Sequence, residues 1–267
     1  NEGINGSLSG KKNDLVAVIN LIKKLLHIKK LEIKINLVNF LPFNRIKIRL
    51  KKEIVSLGKG AVPIVKRKDR FIEPYEWDNF IKQNNLNLID LRNTYEVKIG
   101  KFKNAINPHT KNFREFPDVF QKMNINKNDT IAMYCTGGIR CEKAAGYLNK
   151  KGYKNVYQLK GGILNYLSKP KKTNSNSFWS GECFVFDNRV TVTKKLKRGK
   201  YFQCYGCRSP ITVEETKSEK YIKGVTCPYC FDTRTEEQKH NSLTRQKQIN
   251  EAELKKKTHP FKKINYL

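Results

Sequence analysis

Thr130-Ile131-Ala132-Met133-Tyr134-Cys135-Thr136-Gly137-Gly138-Ile139-Arg140-Cys141 reads as a strand, a tight loop and the start of a helix. The apolar run ends at Cys135. Two glycines and an arginine follow, and Cys141-Glu142-Lys143-Ala144-Ala145-Gly146-Tyr147-Leu148 carries a helical pattern. A thiol at such a junction sits at the positive end of the helix dipole, under a fan of backbone N–H groups. That setting favours the thiolate, which is the nucleophile. The glycines let the backbone curl around the sulfur, and Arg140 adds positive charge at the rim. A cysteine that closes a buried strand is often a plain core hydrophobe. The Gly-Gly pair, the arginine and the abrupt change of structure favour a reactive thiol instead. The candidate site is Cys135 with the loop Thr136, Gly137, Gly138, Ile139 and Arg140.

The flanks extend the pattern. Asn87 to Leu91 is a short apolar strand leading into Asp90-Leu91-Arg92-Asn93-Thr94-Tyr95-Glu96, and Gly100 to Pro108 forms a turn. Asn155 to Leu159 is the next strand, and Gly161-Gly162 opens the following turn. Strands alternating with helices imply a parallel sheet covered on both faces, with the thiol at the carboxyl end of a central strand. In this order the pieces resemble the rhodaneses, single-domain sulfurtransferases that carry a cysteine persulfide. The D-x-R-x-x-x-E signature is present, and Lys101 and Asn104 depart from the G-H-x-x-G-A-x-N-x-P turn. The loop is one residue shorter than that of cysteine-dependent phosphatases and suits a small group on Sγ. Asp90, Arg92 and Glu96 fit a structural ion-pair and capping set better than direct catalysis, because buried charges are normally paired. Asp90 and Arg92 are supporting residues, as is Cys141, a candidate second redox thiol.

The chain carries a formal charge of +30 over 267 residues. Residues 1–70 and 169–267 hold +12 each, and residues 71–168 hold +6. Such flanks attract polyanions, with nucleic acid the natural candidate. Lysine supplies 42 of the 54 basic residues, a bias that an A/T-rich genome also produces. No apolar run approaches the length of a membrane span, so no transmembrane helix is expected. The chain opens on Asn1 in mid-pattern and reads as a piece without its natural start.

Cys204-Tyr205-Gly206-Cys207 and Cys227-Pro228-Tyr229-Cys230 are paired C-x2-C knuckles. Two such knuckles supply four thiolates in a tetrahedron around Zn²⁺. Cys204, Cys207, Cys227 and Cys230 are therefore candidate ligands of a structural zinc, with no open position for catalysis. Cys183 reads as core.

The amino-terminal segment reads as a small α+β unit. Leu15, Val18, Ile19, Ile22, Leu25 and Leu26 follow helical spacing. Ile33, Ile35 and Leu37 alternate as a strand, as do Ile46, Ile48 and Leu50, whose other face carries Arg45, Lys47, Arg49 and Lys51. Glu2 to Gly10 is expected as another strand and turn. Pro63 and Pro74 bracket one polar link, and Lys169 to Ser177 forms a second. Thr235 to Lys257 reads as a solvated helix before a basic tail. The expected fold is a rhodanese-like parallel sheet core of the α/β class. A truncated ferredoxin-like α+β domain precedes it, and a small four-cysteine, zinc-ribbon-like segment with a basic tail follows. The divisions fall at 1–72, 73–172 and 173–267.

Taken over nearly its whole length, the chain resembles the oxygen-dependent tRNA uridine hydroxylases with a rhodanese core. The likeness rests on Glu2-Gly3-Ile4-Asn5-Gly6, Pro42-Phe43-Asn44-Arg45, Lys52-Glu53-Ile54-Val55, Asp90-Leu91-Arg92-Asn93 and Phe113-Arg114-Glu115-Phe116-Pro117. It is sharpest at Tyr134 to Lys143 and at Cys183-Phe184-Val185-Phe186-Asp187-Asn188-Arg189-Val190, and the paired knuckles complete it. The resemblance implies conversion of the wobble uridine of tRNA to 5-hydroxyuridine, with dioxygen as co-substrate and Cys135 as the catalytic, persulfide-carrying cysteine. It implies tRNA as partner. Paired C-x2-C thiols favour a reducing cytoplasm. No flavin or nicotinamide fingerprint and no two-His-one-carboxylate pattern is seen. The alternative is a rhodanese-type sulfurtransferase passing persulfide sulfur to an acceptor.

Overall fold

The computed structural model describes residues 3–29, 31–40, 42–43, 46–58, 62, 70–168 and 177–255. Among the described residues the amino-terminal segment forms one α-helix, α1 (Lys12–Leu25), with Asp14 in its first turn and Lys23 and Lys24 in its last, matching the helix dipole. The strands expected at Ile33–Leu37 and Ile46–Leu50 are not formed, nor is one over residues 3–10. Ile35, Leu37, Ile48 and Leu50 are 83, 92, 86 and 100% exposed. Alternation marks an apolar edge, but a strand exists only where another bonds to it, and no partner strand lies beside these segments among the described residues. Glu2, Asn44, Arg45, Pro63, most of the second link (169–176) and the end of the tail (256–267) lie outside the described residues. Two later positions, Leu57 and Val62, are buried in the central core.

The central segment runs β1 (Phe71–Ile72), α2 (Pro74–Phe80), β2 (Leu86–Asp90), α3 (Thr94–Val97), β3 (Gly100–Phe102), α4 (Phe116–Gln121), β4 (Thr130–Tyr134), α5 (Ile139–Lys150), β5 (Val156–Leu159) and α6 (Gly162–Ser168). The sheet order is β1-β5-β4-β2, with every pairing parallel. β4 is thus central, as the sequence suggested. Its side chains divide by parity. Ile131 and Met133 face Phe116, Phe120, Ala144 and Leu148, while Ala132 and Tyr134 face Trp77, Ile163, Tyr166 and Leu167. Both faces are covered by helices, which is why the strand reads as a continuous apolar run rather than an alternating one. Burying each of these large side chains is worth about 1.5–3 kcal/mol.

Beyond α6, β6 (Trp179–Gly181) pairs antiparallel with β3, and β7 (Cys183–Phe184) pairs with β8 (Thr191–Val192). Trp179, Cys183 and Val192 close the α6 side of the core. A second small hairpin, β9 (Phe202–Gln203) with β10 (Pro210–Ile211), precedes the long polar helix α7 (Glu236–Leu254). Thr235 caps α7, its hydroxyl accepting from the Gln238 N–H. No described helix is long and apolar enough to cross a membrane.

Candidate active site

Cys135 follows the last residue of β4, and α5 begins at Ile139, capped by Gly138 in the left-handed region at φ 99°. Only glycine adopts that conformation without cost, so the turn that brings the helix amides under the sulfur depends on it. The Gly138 N–H donates to Cys135 Sγ at 3.1 Å. The thiol and the amide of Cys141 donate to the same sulfur. Cys135 has no exposed surface. Burial alone would raise its pKa. The Cys141 thiol, the Arg140 charge and the amides of Cys141 and Gly138 outweigh that and pull Cys135 down to about 5. Cys141 moves the other way: burial and its hydrogen bond to Cys135 push it well above the ordinary thiol value. The two sulfurs thus divide one proton, Cys135 as anion and Cys141 as donor.

The guanidinium of Arg140 does not face the sulfur from the rim, as the sequence suggested. It is buried, and both Nη atoms bond Glu96, at 2.7 Å to Oε2 and 2.8 Å to Oε1. Nη2 also donates to Thr136 Oγ1, whose hydroxyl donates to Glu96 Oε1, each at 3.2 Å. Arg140 acts on Cys135 through its charge, with its two Nη atoms turned to Glu96 and Thr136. Burial opposes ionisation of Glu96, but Arg140 outweighs it and holds the carboxyl below its usual range. Glu96 is therefore the residue that anchors the loop. Glu96 Oε2 also accepts the Asn93 N–H at 3.1 Å at the start of α3, so the ion-pair and capping role expected from the D-x-R-x-x-x-E spacing is the one Glu96 has.

Asp90 and Arg92 form a separate buried pair beneath it. Arg92 Nε and Nη2 bond the Asp90 oxygens at 2.9 and 2.6 Å, and Nη2 and Nη1 also donate to the carbonyls of Gly100 and Glu96 at 2.6 and 3.2 Å. Through the Glu96 carbonyl, the Arg92 pair supports the element that carries the loop's anchor. The turn between β5 and α6 holds the loop from the other side. Ile163 N–H donates to the Cys135 carbonyl at 3.0 Å and Leu164 N–H to that of Thr136 at 3.1 Å. The approach requires glycine at 162, where φ is +67° and a Cβ would stand 2.5 Å from the Cys135 oxygen. The amino-terminal segment also contributes polar contacts. Glu53 pairs with Lys143 of α5 at 3.0 Å, and Lys34 Nζ donates to the carbonyls of Gly161 at 2.6 Å and Gly137 at 3.4 Å. Nothing in the sequence distinguished Lys34 from the other lysines.

The carboxyl-terminal cysteines converge. All four sulfurs lie within 4.8 Å of one another, with Cys204–Cys230, Cys207–Cys227 and Cys227–Cys230 at 3.9, 3.7 and 3.9 Å. Those spacings exceed a disulfide bond and match the edges of a tetrahedron about 3.8 Å wide, which Zn–S bonds of about 2.3 Å require. The cluster can hold a metal ion. Arg234 Nη1 donates to Gly206 O at 2.7 Å and Arg245 Nη2 to Gly224 O at 3.0 Å, fastening α7 to this segment. Cys183 is wholly buried, and burial pushes its thiol up to about 12, which fits a core residue.

The family of rhodanese-like domains matches residues 73–169. The UPF0176 acylphosphatase-like domain matches residues 1–54, the α+β class expected of that segment. A Pelagibacter ubique (strain HTCC1062) protein, tRNA uridine(34) hydroxylase, is 47% identical over 264 residues, covering 98% of this chain and 86% of that protein. Among solved structures, a rhodanese-like domain protein from Staphylococcus aureus is 23% identical over 39% of this chain and 93% of its own, with a TM-score of 0.32. A human single-domain sulfurtransferase is 19% identical over 38% of this chain and 98% of its own, with a TM-score of 0.33.

Proposed function

The chain belongs to the tRNA uridine(34) hydroxylase family, and from that premise we propose that it converts the wobble uridine of tRNA to 5-hydroxyuridine with Cys135 as the reacting sulfur. One observation carries the reading: the likeness spans 98% of the chain, through both flanking segments and not the loop alone. The chemistry is consistent with it. At neutral pH a thiol pulled down to about 5 is a thiolate and a strong nucleophile. Addition of Sγ to the uracil ring makes the neighbouring carbon electron-rich toward an oxidant. The net change exchanges C5–H for C5–OH, consuming dioxygen, two electrons and two protons and releasing water. The partner follows from charge: outer segments of +12 each suit an RNA backbone. A wobble base in an anticodon loop is already partly unstacked, so presenting it costs less than flipping it from a duplex.

The remaining assignments belong to the same proposal. Residues 1–72, 73–172 and 173–267 are its three domains. Thr136, Gly137, Gly138, Ile139 and Arg140 form the active-site loop, with Asp90, Arg92 and Cys141 supporting it. Cys204, Cys207, Cys227 and Cys230 hold a structural zinc that gives the polar third domain its stability. Dioxygen is co-substrate, and a tRNA substrate together with paired C-x2-C thiols favours the cytoplasm as its location.

Mass spectrometry of tRNA nucleosides tests the reading, in cells lacking the protein and in cells restored with Cys135→Ser. Loss of 5-hydroxyuridine in both supports it, and undiminished 5-hydroxyuridine in the Cys135→Ser cells rejects the thiol mechanism. The match of residues 73–169 to rhodanese-like domains favours a second reading, transfer of persulfide sulfur from Cys135. Thiolated nucleosides would then disappear instead, and the protein would release thiocyanate from thiosulfate and cyanide.

A further inference from the structure

Lys34 lies in the amino-terminal segment, yet its ammonium reaches the Cys135 loop. It donates to Gly161 O at 2.6 Å and to Gly137 O at 3.4 Å. Gly137 O belongs to the peptide unit whose other side is the Gly138 N–H. In a trans peptide, C=O and N–H point in opposite directions. A cation on that carbonyl therefore turns the Gly138 N–H toward Sγ, where it donates at 3.1 Å. The unit lies between two glycines, with Gly138 at φ 99°, so side chains do little to stop it rotating. Gly161 brings the second carbonyl close: a Cβ on Gly138 would lie 3.6 Å from the Gly161 Cα.

We propose that Lys34 is a positioning residue for Cys135: by gripping the Gly137 and Gly161 carbonyls, it fixes the peptide that hydrogen-bonds the sulfur and adds a second positive charge beside it. The inference rests on Cys135 being the reacting sulfur. It makes the site composite, because the amino-terminal segment completes a loop otherwise built by residues 90–164. Titration behaviour agrees. Desolvation where the ammonium meets the loop lowers the Lys34 pKa, and the charge of Cys135 opposes that fall. The groups whose charge or proton acts on Cys135 are Lys34 from the amino-terminal segment and Arg140 and Cys141 from α5, while Glu32 and Glu142 act on Lys34. Glu96 and Asp90 act on it through Arg140.

The test is the rate of iodoacetamide labelling of Cys135 against pH, read by mass spectrometry of its tryptic peptide. The purified full chain is compared with Lys34→Met, Lys34→Gln and Lys34→Arg. Absolute rate reports how readily the loop opens, whereas the midpoint reports acidity. The midpoint should rise by on the order of one pH unit in Lys34→Met and Lys34→Gln, as loss of a nearby opposite charge produces. Lys34→Arg should return most of the shift. Lys34 is an exposed residue, so the variants keep the fold, and circular dichroism of the same samples verifies this. A low wild-type midpoint that none of the variants moves overturns the role of Lys34 and leaves the reactive thiolate standing. An ordinary wild-type midpoint overturns the thiolate, and the proposal with it.

Discussion

Glu96 binds Arg140 through both carboxylate oxygens, at 2.7 and 2.8 Å, inside the core. The pair ties α3 to the first turn of α5 and so fixes the loop between β4 and α5. The loop's position is set by this ion pair, while the hydrogen bonds to its sulfur come from Cys141 and Gly138 and Arg140 adds only its charge.

Removing one partner of a buried pair leaves the other uncompensated. Glu96→Ala should cost about 3–5 kcal/mol of stability, and urea unfolding measures it. Arg92→Met, which strands Asp90, should cost a similar amount. Equal stability of Glu96→Ala and the parent chain would show that the pair contributes nothing to the loop's hold.

The acidity of Cys135 has a definite sign. Its folded pKa, about 5, lies below the unfolded value of about 8.5. The thiolate therefore adds stability that is fully present above about 8.5 and is lost as pH falls through about 5. Iodoacetamide labelling of Cys135 should be flat from neutral pH upward and should fall away on acidification below about 5. A midpoint near the ordinary thiol value would remove the basis for a standing nucleophile.

Two neighbouring glycines should behave differently. At Gly162 a Cβ would stand 2.5 Å from Cys135 O and 2.7 Å from Thr136 O, at φ +67°. Gly162→Ala should separate α6 from the loop, cost at least the roughly 1–2 kcal/mol of left-handed strain, and lower hydroxylation. Gly137 has nothing within 4 Å of its added Cβ, so Gly137→Ala should fold with nearly unchanged thermal stability. Thermal melts of the two variants side by side provide the check.

Metal removal should act locally. The mass of the native protein should include one zinc ion, and Cys227→Ser or a strong chelator should remove it. Proteolysis should then cut within residues 202–234, while the parallel sheet, whose core shares no residue with the cysteine cluster, keeps its protection. Resistance of that segment after full metal loss would count against a structural ion.

The sheet was legible because β4 is apolar on both faces, and a helical pattern starts within a few residues of its end. The strand expected at Thr130–Tyr134 occupies those residues. The amino-terminal strands misled because Ile35, Leu37, Ile48 and Leu50 have the right alternation with no neighbour to bond among the described residues. The loop's electrostatics were harder to read. Whether Arg140 meets the sulfur or a carboxylate depends on Glu96, 44 residues away in sequence. Lys34 was invisible for a related reason: its partners are carbonyl oxygens, which every residue has.

α7 makes few other buried contacts. Ser242 and Gln246 are its only buried residues among those described, and Arg234 and Arg245 fasten it to the turns at Gly206 and Gly224. It therefore stands like a boom on its mounting. At about 1.5 Å per residue, a helix of this length reaches roughly 28 Å, so a tilt of about ten degrees at the mounting sweeps its far tip by about 5 Å. A change in the spacing of the four sulfurs would thereby be magnified into displacement of a polar arm.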